Sequence, residues 1–232
     1  MAKTPPAGVI ELSDVGYSYG GEAVLGGVDL RLAPGSFHFL TGPSGSGKTT
    51  LLRLMTRELI ATSGTVRIFG EDGAAMDREA VARARRRIGI VHQDLRFLDH
   101  LSVAENVALP LTVSGQEDQA DAALPELLSW VGLDRLREAR PPEISGGERQ
   151  RAALARAVVT APDAILADEP TGNVDWDMSL RLMDLLVELN RMGRTIMVAT
   201  HDLTLIRHMK GQVEARVLSL RDSVLQLAGA GL

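Results

Sequence analysis

Apolar and polar positions along the chain fall into short strand-like runs separated by longer helical stretches. Residues 9–19 have a short, β-like pattern that closes on Gly20-Gly21, and Val28-Asp29-Leu30-Arg31-Leu32 alternates as a half-buried strand before a Pro34-Gly35 turn. The apolar run Phe37-His38-Phe39-Leu40 leads into a glycine-rich loop, and Leu51, Leu52, Leu54 and Met55 then predict a helix over 49–59. Residues 65–69 read as a strand. Residues 77–87 read as a helix with Asp77 as its cap, Glu79 in the first turn and arginines at 83, 85, 86 and 87 near its end, a polarity that suits the helix dipole. A short apolar strand over 88–91 ends at His92-Gln93-Asp94. From 95 to 142 the composition is helical, with Leu124, Leu127, Leu128, Val131 and Leu133 at helical spacing and Trp130 as the expected anchor. Beyond it come a helix over 148–160, a buried strand over 164–167, an amphipathic helix over 177–191, a strand over 195–200 and a hairpin over 216–227.

Strands alternating with helices predict an α/β fold with a mostly parallel sheet covered on both faces. The stretch 95–143 stands out as an inserted helical subdomain within a single domain of 232 residues, whose core is formed by 1–94 and 144–232. Net charge is −5, so the surface as a whole does not attract nucleic acid. The chain has no cysteine, which excludes disulfides and thiolate metal sites. The first residues lack an apolar signal core, and no apolar run reaches the roughly 18–20 residues needed to span a bilayer. The expectation is a cytoplasmic protein whose membrane role, if it has one, comes through a partner. The arginines at 83–87 read as a solvated helix end.

Two motifs carry chemistry. "GPSGSGKT", Gly42, Pro43, Ser44, Gly45, Ser46, Gly47, Lys48 and Thr49, fits G-x-x-x-x-G-K-[ST] between an apolar strand and a helix, with Thr50 next in line. Such glycines let backbone N–H groups turn inward around phosphate oxygens, and the helix start adds positive potential. Lys48 then reaches the β- and γ-phosphates of ATP, and the Thr49 hydroxyl ligates Mg²⁺. "AILADEP" places Asp168 and Glu169 where an apolar strand ends, at the edge of the sheet where α/β ligands bind. Asp168 is suited to hold Mg²⁺, and Glu169 to polarise the water that attacks the γ-phosphate.

A second anion-holding pattern, "ISGGERQ" at 144–150, lies shortly before that strand. It resembles the signature of the ATP-binding cassette (ABC) ATPases, with Ile144 where leucine is usual. The resemblance covers nearly the whole chain and implies an N-terminal antiparallel β subdomain beside the P-loop core. By resemblance, Tyr19, or Tyr17 in its place, stacks on adenine, Gln93 serves the metal and the attacking water, "TGNVD" at 171–175 is the D-loop and His201 the switch histidine. It also implies a homodimer formed on ATP, in which Ser145, Gly146 and Gly147 of one chain close over nucleotide held by Gly42–Thr49 of the other. A helix starting there aims N–H groups and its dipole at the phosphate.

Residues 92–111, with "LADEPTGN" and "ATHD", are most similar to the cell-division branch of the family. That branch works with an integral, FtsX-like membrane subunit and other division proteins to regulate cell-wall hydrolysis, and it sits on the inner face of the membrane. Lipoprotein-release and macrolide-efflux ATPases share the last two motifs, which leaves an exporter subunit as the alternative. His92 stands where an aromatic is commoner, and Val174 where leucine is usual. A soluble cassette acting on DNA or ribosomes would carry a coiled-coil insertion or tandem cassettes, and neither is present. No N-K-x-D segment is present to read guanine.

Overall fold

The computed structural model describes residues 8–228. Among the described residues, ten strands build two sheets. β1 (Ile10–Tyr19), β2 (Glu22–Leu32), β4 (Ser63–Ile68) and β5 (Glu71–Asp72) form an antiparallel sheet in the order β2-β1-β4-β5. The second sheet has the order β10-β9-β3-β8-β7-β6, from β3 (Phe37–Thr41), β6 (Ile88–Val91), β7 (Ala164–Asp168), β8 (Thr195–Ala199), β9 (Ala215–Arg221) and β10 (Val224–Leu227). Its strands are parallel except β10, which folds back on β9 as the expected hairpin. Every residue of β3, β7 and β8 is buried, as strands covered on both faces require. All three end on the same side, which brings Thr41, Asp168 and Ala199 to one edge.

The helices are α1 (Lys48–Met55), α2 (Arg78–Arg86), α3 (Val103–Val113), α4 (Ala120–Trp130), α5 (Gly146–Val158), α6 (Trp176–Arg191) and α7 (Leu203–Met209). Side chains from α3, α4 and the turn after it, among them Val103, Val107, Leu111, Leu128 and Val131, share one apolar cluster with apolar residues of α5, β7, β8 and α6. The inserted helices are therefore seated on α5 through a continuous core. A second cluster joins the antiparallel sheet to α1 and to the opposite face of the large sheet. Fully buried Asn106 on α3 accepts from the Leu98 N–H and donates to the carbonyls of Leu98, Leu101 and Ser102, which shapes the entry into the insertion. Among the described residues, no helix is long and apolar enough to cross a membrane.

Several elements differ from the sequence expectation. Helix α1 stops at Met55 instead of 59 because Arg57 turns into the left-handed region, at φ +59°. Helix α5 starts two residues early, with Ser145 as its cap in a reciprocal capping box with Glu148. Strand β2 runs back to Glu22, where Gly26-Gly27 interrupts the alternation. The short α7, capped by Asp202, is not among the elements expected from the sequence. Trp130 does not anchor the insertion: it is 44% exposed, and Leu128, Val131 and Leu133 fill the core instead. Arg83, Arg85, Arg86 and Arg87 are exposed, as a solvated helix end requires, but three of them also have partners. Arg83 pairs with Glu79, but Arg85 donates to the carbonyls of Thr56 and Arg57 at the end of α1. Arg87 pairs with Asp163 and lies over the Phe69 ring, because the end of α2 abuts both partners.

Candidate functional site

The loop between β3 and α1 wraps around a lysine. Lys48 is buried, and its Nζ donates to the carbonyls of Gly42 at 2.8 Å and Pro43 at 3.0 Å, closing the loop into a ring. Glycine is required at two points. A Cβ on Gly42 would stand 2.3 Å from the Leu220 carbonyl oxygen, and Gly47, at φ +100°, caps α1 in the left-handed region. The first amides of α1 have no partner within the helix. The Ser46 hydroxyl is buried without a hydrogen-bond partner.

A cavity of about 590 Å³ opens beside this loop. Pro43, Ser44, Gly45, Gly47, Lys48, Thr49 and Thr50 form its floor, and Gln93, Asp168, Glu169 and His201 one wall. Tyr19, at the exposed end of β1, lines the rim with its ring edge-on to Tyr17 at 4.8 Å. Thr49 Oγ1 donates to Asp168 Oδ2 at 2.6 Å. Asp168 is buried, and burial holds its carboxyl above the usual range. The Thr49 hydrogen bond works against this rise, and the neighbouring Glu169 charge adds to it. Glu169 Oε1 lies 2.8 Å from His201 Nδ1 and accepts the His201 N–H at 3.2 Å.

Of the sequence-predicted residues, the structure therefore gathers Tyr19, Pro43 to Thr50 apart from Ser46, Gln93, Asp168, Glu169 and His201 around one cavity. Gly42 and Ser46 support the loop from behind. Ser145, Gly146 and Gly147 lie outside the cavity wall: Ser145 and Gly146 are exposed at the start of α5, and Glu148 takes the Ser145 N–H and hydroxyl, each at 2.7 Å. Those hydrogen bonds hold the Glu148 carboxyl below its usual range. Val24 lines the cavity as well, a position with no signal in the sequence.

A second cavity, of about 550 Å³, lies between the inserted helices and the large sheet. Its floor is apolar, with Ile90, Leu109 and Val113, and Arg85, Arg86, Arg96 and Arg156 stand around it. His92 lines it too, 3.9 Å from Glu58. Arg156 donates to the Arg96 carbonyl and lies 4.6 Å over the Phe97 ring, fastening the loop after Gln93 to α5.

The sequence profile of the ABC transporter family matches residues 25–172, more than half of the chain and the span that builds most of this site. The chain belongs to the ABC transporter family. Its ABC relatives include the cell division ATP-binding protein FtsE of Haemophilus influenzae, 42% identical over 202 residues, which cover 86% of this chain and 93% of the relative. The lipoprotein-releasing system ATP-binding protein LolD 1 of Rhodopirellula baltica is 42% identical over 211 residues, covering 89% and 92%. Among solved ABC structures, the dimeric, post-hydrolysis state of the cassette MJ0796 bound to ADP and Pi superposes with a TM-score of 0.82 at 32% identity, over 95% of this chain and 99% of that one. The ABC fold thus accounts for both sheets and for the helices inserted between β6 and β7.

Proposed function

We propose that the chain is a Mg²⁺-dependent ATP hydrolase that works as a homodimer, each ATP held between the P-loop of one protomer and the Ser145–Gly147 turn of the other. The observation that carries this reading is the split between the two anion-holding elements. One cavity collects Lys48, Thr49, Asp168, Glu169 and His201, while the exposed start of α5 stands outside it. Beyond the Glu148 N–H taken by the Ser145 hydroxyl, the first amides of this helix have no acceptor within it, and such a helix start is suited to a phosphate presented by a second copy. The dimeric cassette bound to ADP and Pi supports the homodimer. The chain then serves as a single nucleotide-binding domain, with 95–143 as its helical subdomain.

Within that site Lys48 and the loop amides neutralise the β- and γ-phosphates, and Tyr19 offers its ring to adenine. The metal fits the oxygen donors present: Thr49 Oγ1 and Asp168 Oδ2 converge, Gln93 stands on the same wall, and Mg²⁺ is commonly held by one or two carboxylates plus substrate phosphates. Bound Mg²⁺ supplies charge neutralisation on the phosphates. Glu169 takes a proton from water as its oxygen attacks the γ-phosphorus; the bond to the bridging oxygen breaks, leaving ADP and phosphate. His201, on the Glu169 carboxylate, holds that side chain toward the γ-phosphate position.

The FtsE relatives favour an ATPase that acts on the cytoplasmic side of a membrane through an integral FtsX-like subunit, and so regulates cell-wall hydrolysis in division. The arginine-rimmed groove is the docking place this reading assigns to that subunit, which would offer acidic and apolar side chains. The LolD relatives support the alternative, an exporter ATPase. A membrane pull-down with Glu169→Gln and ATP tests the choice. Recovery of a membrane subunit without a substrate cavity, located at the division site, is the expected result; substrate-stimulated hydrolysis with a cavity-bearing partner would overturn it.

A further inference from the structure

Gln150 lies in the second turn of α5, is 1% exposed and does not line the nucleotide cavity. Its Nε2 donates to the main-chain carbonyl of Glu169 at 2.9 Å. That residue is held in an unusual state. Glu169 sits at φ +50°, a left-handed conformation that is strained for a non-glycine residue and persists only when its surroundings enforce it. Its N–H donates to the Ala199 carbonyl at 2.8 Å, and its carbonyl also takes the Gly172 N–H at 3.2 Å. Two of these restraints come from the strand end and the turn that follows; the third comes from α5.

The first turn of the same helix is packed on the segment after Glu169. A Cβ added to Gly147 would stand 2.9 Å from the Asn173 carbonyl oxygen and 3.3 Å from Val174 Cγ1. The end of α5 offered to a partner's ATP and the backbone of the acid that serves the chain's own ATP are therefore joined by one contact and one hydrogen bond, less than two helical turns apart.

We propose that Gln150 is a positioning residue that couples the two ATP sites of the dimer. When Ser145–Gly147 of one protomer close over the partner's nucleotide, α5 shifts against Asn173-Val174, and Gln150 carries that shift to the Glu169 peptide and so to its carboxylate. Each protomer's acid is aligned only once its helix has engaged the other site, so hydrolysis depends steeply on ATP concentration. This rests on the sandwich reading given above.

The test replaces Gln150 with Met, which keeps the length and apolar packing and deletes the donor. Hydrolysis by the full chain, with its membrane subunit where turnover needs it, is measured against ATP concentration. The expected result is a kcat lowered by roughly 10- to 100-fold, the scale on which small displacements of reacting groups act, with half-saturating ATP unchanged and the steep dependence lost. Glu169→Gln carrying the same replacement still dimerises on ATP. Wild-type kcat and steepness in Gln150→Met would overturn the coupling, as would a loss of kcat accompanied by an equal loss of ATP affinity. Gln150→Glu, equally long but an acceptor facing an acceptor, gives the same reading if the Met variant fails to fold. If Glu169→Gln alone stays monomeric with ATP, it is the sandwich that fails.

Discussion

Thr49 Oγ1 and Asp168 Oδ2 meet at 2.6 Å across 119 positions of sequence. This contact ties the first turn of the P-loop helix to the end of β7, and it sets two oxygen donors side by side where a phosphate-bound cation would sit. Thr49→Val keeps the shape and removes the hydroxyl. The Mg²⁺ concentration for half-maximal hydrolysis should then rise by roughly tenfold or more, as loss of a ligand implies, while nucleotide affinity without metal stays the same. Titration of activity against Mg²⁺ checks it.

Lys48 fills the centre of the phosphate loop, and its two carbonyl contacts show the side chain already directed there. Lys48→Ala removes the charge and leaves the Gly42 and Pro43 carbonyls without their donor. ATP binding, followed with a fluorescent nucleotide, should weaken by roughly 100-fold, the order expected for a charge-assisted contact of about 2–3 kcal/mol, and hydrolysis should vanish. A variant that still turns over ATP would remove the P-loop assignment.

Ser145 caps α5 outside the chain's own cavity. Ser145→Arg therefore should leave nucleotide affinity near wild type and stop turnover. Were affinity lost instead, the helix start would be acting on the chain's own nucleotide.

The buried His38 on β3 makes stability depend on acid. It is 1% exposed and its Nδ1 has no hydrogen-bond partner; burial, with the Arg216 charge adding to it, lowers its pKa from 6.5 to about 4. The unfolded chain binds this proton near pH 6.5 and the folded chain only near pH 4, so between those values the unfolded state holds more protons. Stability from this group is fully present above pH 6.5 and is lost as pH falls toward 4, by about 3 kcal/mol at most. His38→Leu should flatten urea-denaturation midpoints across that window, and an unchanged slope would contradict the assignment.

Most of the site was legible because its chemistry is local. The 42–50 loop, Asp168-Glu169 and 144–150 each combine residue type, spacing and a strand or helix boundary within ten residues. The α/β alternation was equally plain, since strands buried on both faces read as unbroken apolar runs. Long-range partners were not legible. Nothing in sequence joins Gln150 to Glu169, Arg85 to the end of α1 or Val24 to the cavity, because each depends on how distant elements dock. Trp130 misled for the same reason: its size suggested an anchor, but the turn of α4 carries it outward while Leu128 and Val131 face α5. Asp202, which caps the unread α7, sat at the end of a strand whose signal masked the helix start.

In the proposed sandwich, two copies of the chain complete each other's nucleotide sites. The most direct measurement is the molar mass of purified Glu169→Gln by light scattering, with and without ATP. A monomer without nucleotide and a dimer with ATP are expected, the dimer being lost when Ser145→Arg is added. A Glu169→Gln protein that binds ATP and remains a monomer would contradict it.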